Sequence, residues 1–177
     1  MLAKPALRAR LRATRAAMNG PAPRPSPAFL DQLRPGRIVA SYRPVGGEVD
    51  PAPFDTAATA AGAHLALPFV ADRATALRFL LVQPGEPLIP GPFGLLNPDP
   101  AWPEAAPDLI LTPLIGFDRR GNRLGQGAGH YDRAFAAHPA AWRVGLAWSV
   151  QEVDALAPDP WDIPLHAIAT EQEWITP

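Results

Sequence analysis

An apolar run that hands over to a glycine-rich loop of mixed charge constrains this chain more than any other segment. Leu109 to Arg133, LILTPLIGFDRRGNRLGQGAGHYDR, holds five glycines, four arginines and two aspartates. Leu109–Ile115 has strand length and is bounded by Pro107 and Gly116, and Gly129–His138 reads as a helix. Between them, glycines at 121, 125, 127 and 129 remove the side chains that would hold a ligand away from the backbone. Successive N–H groups in such a loop turn toward one concave site, and the helix adds its unpaired amides and positive dipole end. Phosphate is the natural guest. Arg123, with Arg119 or Arg120, can supply charge-assisted bonds worth roughly 1.5–3 kcal/mol each. Asp132, one turn into the helix, would repel phosphate unless a cation lay between them, which suggests magnesium. The loop has neither the GxxxxGK[ST] spacing nor the third glycine of a dinucleotide fingerprint. A flexible hairpin with exposed arginines would not need a strand before it, a helix after it and both charge signs in register.

The loop reads Pro113, Phe117, Asp118, Gly121, Arg123, Leu124, Gly125, Gly127, Gly129, His130, Tyr131, Asp132. This spacing resembles the motif P-x-x-x-F-D-x-x-G-x-R-L-G-x-G-x-G-[YF]-Y-D of the 5-formyltetrahydrofolate cyclo-ligase family, also called methenyltetrahydrofolate synthetases. The likeness extends through KPALR at 4–8, PVGGEVD at 44–50, LPFV at 67–70 and WDIPLHAIAT at 161–170, so it covers essentially the whole chain. Two positions depart from it: His130 stands where an aromatic is usual, and His166 where an acid is common.

Length and composition agree with one enzyme-sized domain, 1–177. Such a chain is long enough to bury one core and short for two domains. A hydrophobic fraction of 47% with a net charge of −1 indicates globular order and argues against a nucleic-acid partner. Without cysteine, disulfides, thiolate metal sites and thiol catalysis are excluded together. Apolar runs fall far below the roughly 20 residues of a membrane span. The chain is expected to be a cytoplasmic monomer with small-molecule partners. Its 24 prolines cluster at 21–27, 84–107 and 158–164, between the periodic segments.

Helices are expected at Pro5–Met18, Pro53–Ala61 and Gly129–His138, with strands at Arg37–Tyr42, His64–Leu67, Ala76–Val82, Leu109–Ile115, Arg143–Trp148 and Ala167–Thr170. This alternation predicts an α/β fold: a three-layer sandwich with a mixed, mostly parallel sheet and helices on both faces. The loops that start at Arg43, Gly116 and Ser149 leave strand carboxyl ends, where ligands of such sheets collect. In the first helix, Leu7, Leu11, Thr14 and Met18 share an apolar face, while Lys4, Arg8, Arg12 and Arg15 form a basic stripe.

The resemblance implies ATP- and Mg²⁺-dependent conversion of 5-formyltetrahydrofolate, a reduced folate, to 5,10-methenyltetrahydrofolate with release of ADP and phosphate. It places ATP on Lys4, Pro5, Ala6, Leu7, Arg8 and on Arg123, Leu124, Gly125, Gln126, Gly127, Ala128, Gly129, His130, Tyr131. Folate falls to Arg43, Glu48, Gln126, Gly127, Ala128, Gly129 and His130, and magnesium to Asp132 and Asp162. Arg123, Glu48 and Tyr131 are the candidate catalytic residues. Two alternatives stay open: a non-catalytic folate- or nucleotide-binding paralogue, and an ATP-dependent ligase acting on another pterin or small amide. The 84–107 segment is either a lid or a stiff surface connection.

Overall fold

The computed structural model describes residues 3–177. Strand β6 (Leu109–Pro113), the apolar run before the glycine loop, is the middle strand of a seven-stranded sheet. On one side it is followed by β1 (Ile38–Ala40), β2 (His64–Phe69) and β3 (Arg78–Leu81), and on the other by β9 (Trp142–Leu146), β10 (Ala167–Ala169) and β11 (Trp174–Ile175). The five inner strands pair in parallel, and only the edges β3 and β11 run antiparallel. Parallel strands covered on both faces need apolar residues throughout, which is why β6 shows no polar alternation.

Leu109 and Leu111 point into one core layer with Phe29, Phe54, Val39 and Val144, under helices α2 (Pro27–Leu30) and α3 (Ala52–Ala60). Ile110 points the other way, into a layer with Phe79, Phe135 and Ile168 under α4 (His130–Ala137). Burying a side chain such as Phe54 or Phe135, both fully enclosed, stabilises the fold by about 1.5–3 kcal/mol. The expected sandwich is therefore present, with α2 and α3 on one face and α4 on the other.

Helix α1 (Lys4–Ala16) covers neither face. Leu7 and Leu11 form a separate small cluster with Ile115, Leu124 and Leu156, which seats α1 across the carboxyl end of the sheet. Its buried residues are Leu7, Leu11 and Arg15, so Arg15 leaves the basic stripe and occupies the packed face. Thr14, expected on the apolar face, is exposed and bonds back to the Arg10 carbonyl.

Other elements depart from the expected pattern. The Leu109–Ile115 strand ends at Pro113, and the chain then folds a two-residue hairpin of β7 (Gly116–Phe117) and β8 (Arg123–Leu124). The 84–107 segment contains its own pair, β4 (Ile89–Pro90) and β5 (Leu96–Asn97), joined by a turn at Pro92–Gly94. Short α2 is capped by the Ser26 hydroxyl, which accepts from the Phe29 N–H. No helix among the described residues is long and apolar enough to cross a membrane.

Candidate active site

A cavity of about 1020 Å³ opens at the carboxyl ends of β1, β2 and β6. Tyr42 and Arg43 leave β1 into it, Val70 follows β2, and Leu114 follows β6. Helix α1 and the loop from Arg123 to Arg133 close the opposite side. The volume lies at the upper end of the range for ligand pockets, about 300–1,000 Å³.

The glycine loop is shaped by conformations that L side chains resist. Gly127 and Gly129 have φ of 103° and 68°, and Gly129 forms the N-cap of α4 with no side chain capping the helix. An uncapped helix start keeps its first amides available to an anion, and Gly129, His130 and Tyr131 line the cavity together with Arg8 and Arg123. Helix α1 is stitched to the loop: Arg8 Nε donates to the Gly125 carbonyl at 2.8 Å, and Arg12 donates to Gln126 Oε1 at 2.6 Å. Lys4 Nζ donates to Asp159 Oδ2 at 2.6 Å and lies 3.7 Å from Asp162 Oδ2. Lys4, Arg8 and Arg123 thus line one cavity, interleaved with Asp132, Asp159 and Asp162.

Arg123 is held from three sides. One guanidinium nitrogen donates to the Ile163 carbonyl and the other to Asp132 Oδ1, both at 2.6 Å, while the Phe135 ring centroid lies 4.5 Å from its Cζ. Its side chain is only 5% exposed, yet it lines the cavity. A guanidinium has five N–H donors, so those not engaged by Ile163 and Asp132 remain for a ligand. Asp118, part of the same motif, is fully buried and serves the loop instead. It accepts from the backbone N–H groups of Arg120, Asn122 and Leu156 and from the Asn122 side chain.

Glu48 meets the glycine loop, where Gln126 Nε2 donates to its Oε1 at 3.5 Å, and lies on a turn whose Val45 N–H donates to its Oε2 at 3.0 Å. Arg15, itself buried, reaches within 3.7 Å of Glu48 Oε1 and also donates to the Leu114 carbonyl. Burial raises the Glu48 carboxyl above the usual range, against the lowering effects of the Val45 N–H and Arg15. Tyr42 and Tyr131 are also pushed up, first by burial and then by the Glu48 charge, so both keep their protons. Tyr42 spends its hydroxyl on the Val49 carbonyl at 2.6 Å. Tyr131 packs on Phe135 and also lines the cavity, so it belongs to core and site together.

Asp132 and Asp162 lie on the same wall. Each uses one carboxylate oxygen within the protein: Asp132 Oδ1 toward Arg123 and the Ile163 N–H, Asp162 Oδ2 toward the Asp159 N–H. The second oxygen of each accepts no bond from the described residues. Among the described residues there is no cluster of three or more metal-ligating side chains. Two carboxylates still fit magnesium, which usually takes one or two of them together with phosphate oxygens and water.

Most of the candidate residues converge on this cavity, including Lys4, Arg8, Arg43, Glu48, Asp132, Asp162 and the loop from Arg123 to Tyr131. Pro5, Ala6 and Leu7 do not line it: Pro5 and Ala6 face outward and Leu7 is buried in the α1 cluster. Arg119 is tied to Glu152 and Glu173, and Arg120 is exposed, both away from the cavity. The loop at Ser149 also stays out, because Gln151 donates to the Leu114 and Ile115 carbonyls beneath α1. His130 lines the cavity and bonds to the Asp72 carbonyl, whereas His166 lies outside it against Arg143. Sequence reading missed Arg12, Phe93, Leu95 and Leu96 as lining residues. The four-residue step from Arg8 signals Arg12, but the Pro-rich segment has no period that singles out Phe93 or the leucines.

A model of the 5-formyltetrahydrofolate cyclo-ligase family matches residues 1–171. A 5-formyltetrahydrofolate cyclo-ligase of Escherichia coli is 34% identical over 146 residues, 77% of this chain and 80% of that one. Its Haemophilus influenzae counterpart is 39% identical over 98 residues, and there the match spans about half (52%) of either chain. Among solved structures, a 5,10-methenyltetrahydrofolate synthetase of Aquifex aeolicus is similar over 99% of this chain and 93% of its own, with a TM-score of 0.77 and 28% identity. The cavity thus lies in a fold and a sequence pattern shared along nearly the whole length, and the chain belongs to the 5-formyltetrahydrofolate cyclo-ligase family.

Proposed function

We propose that this chain converts 5-formyltetrahydrofolate and ATP into 5,10-methenyltetrahydrofolate, ADP and phosphate. The observation that carries the reading is one large cavity in which a glycine loop with Lys4, Arg8 and Arg123 meets Glu48 and Tyr131. A formyl group on nitrogen is amide-like, and its oxygen leaves poorly as hydroxide. Attack of that oxygen on the γ-phosphorus expels ADP and converts it to a phosphate ester. Attack by N10 on the activated carbon then closes the ring, N10 loses its proton and phosphate departs.

The chemistry needs alignment and charge neutralisation rather than a covalent enzyme intermediate. Arg123, the amides of Gly125 to Gly129, Lys4 and Arg8 would hold the triphosphate. Glu48, with Gln126 nearby, would hold the pterin or orient the reacting nitrogen, and Arg43 would contact the folate. Magnesium, held by Asp132 and Asp162, would neutralise phosphate charge when bound. Mixing the protein with 5-formyltetrahydrofolate and MgATP should raise near-ultraviolet absorbance as the methenyl product forms. Tight folate binding with no absorbance change would instead identify a binding protein.

A further inference from the structure

Trp161 stands apart from the other tryptophans of this chain. Trp102 and Trp148 are buried, and Trp142 and Trp174 pack against each other and Phe29. Trp161 is 68% exposed. An exposed indole in a cavity wall offers its ring to a ligand, and Trp161 lines the cavity.

Its position is fixed rather than loose. Asp159, Pro160, Trp161 and Asp162 form a tight turn in which the Asp162 N–H donates to the Asp159 carbonyl at 2.9 Å, and the Asp159 N–H donates back to Asp162 Oδ2 at 2.8 Å. Proline presets the second position of such a turn, and Trp161 follows at the corner. Lys4 then ties the turn to α1 through its bond to Asp159. Trp161 lines the cavity together with Lys4 and Asp162, residues of the site proposed for the phosphates and magnesium. Tyr42 is buried, and Tyr131 packs on Phe135.

We infer that Trp161 is the platform on which the base of the nucleoside triphosphate stacks, while Lys4, Arg8 and the glycine loop take its phosphates. This inference rests on the proposed function. A flat heteroaromatic base on an indole face stacks without needing hydrogen bonds, so the platform supplies affinity more than choice among bases.

Titration of wild type, Trp161→Phe and Trp161→Ala with MgATP and with magnesium tripolyphosphate, a probe that lacks the base, tests it. Trp161→Ala should lose about tenfold in ATP affinity, ~1.4 kcal/mol, as expected for one stacked base. Trp161→Phe should stay within about threefold of wild type, because a ring remains to stack on. Tripolyphosphate should bind all three proteins alike. ATP should also quench the fluorescence difference between wild type and Trp161→Phe, and tripolyphosphate should not. Equal losses for both probes, no loss in Trp161→Ala, or a loss confined to 5-formyltetrahydrofolate would each overturn the platform. A wild-type protein that binds tripolyphosphate no more weakly than ATP overturns the platform and leaves the phosphate site standing. Failure to bind either probe overturns the proposed function as well.

Discussion

Replacing Arg123 by methionine separates what this residue does for the fold from what it does for the reaction. The guanidinium is 5% exposed and bonds to Asp132 and the Ile163 carbonyl at 2.6 Å each. Methionine keeps volume against Phe135 but orphans the Asp132 carboxylate. Removing one partner of a buried pair typically costs 3–5 kcal/mol, and because Asp132 keeps 19% exposure the lower figure, about 3 kcal/mol, applies. For a chain of this size that corresponds to a fall in Tm of ~6–12 °C. Adding Asp132→Asn removes the orphaned charge, and the double variant should recover most of the lost Tm. Turnover should not follow. If Arg123 stabilises the transferring phosphoryl group, the single variant stays at least ~100-fold below wild type, and the double variant, which also alters a proposed magnesium ligand, gains nothing over it. Thermal melting and the product-absorbance assay on the same preparations give both readings. A double variant that regains activity along with stability would show that Arg123 only holds the fold, and a single variant that loses less than about 1 kcal/mol would show that the pair is not a buried one.

The pH response should report Glu48. Burial favours its protonated form in the folded chain, so its contribution to stability is fully present below the ordinary carboxylate range and fades as pH rises through the raised value. If turnover needs the carboxylate, the acid limb of the rate profile should lie above the ordinary glutamate range, and Arg15→Met should move it higher still by removing a cation that lowers it. A limb unmoved by Arg15→Met would exclude Glu48 as the titrating group. Asp118→Ala strips acceptors from four buried or partly buried N–H donors and should lower stability in urea by about 3 kcal/mol; a smaller change than about 1 kcal/mol would mean that the hairpin supports itself. Asp162→Asn retains an oxygen for the Asp159 N–H but gives up the charge, and should raise the magnesium concentration needed for half-maximal rate. An unchanged requirement would remove Asp162 from the metal site.

The central strand, the glycine loop and α4 were legible because each is a local pattern: an apolar run, residues free of side chains, and a helical period. The same locality explains what stayed hidden. Two-residue pairs such as β4 with β5 and β7 with β8 carry no period, and β11 is too short to alternate. Arg15 looked like part of a basic stripe because spacing cannot see that Leu114 and Glu48 await it under the helix. Gln151 likewise bonds to two carbonyls more than thirty residues away, which draws the Ser149 turn under α1 and out of the cavity. Asp118 and Asp132 stood in one motif with nothing to tell them apart. Burial divides them, one as the anchor of the loop and the other as the partner of Arg123.

The seating of α1 also has a bearing on biosynthesis. This helix is synthesised before the residues it rests on, since Leu7 and Leu11 pack on residues 115, 124 and 156, and Lys4 bonds to Asp159. A growing polypeptide therefore carries Arg8 and Lys4 without their partners until Gly125 and Asp159 have been made. The cavity is completed only once those residues exist, so fragments that stop before Gly125 should fail to bind either proposed substrate.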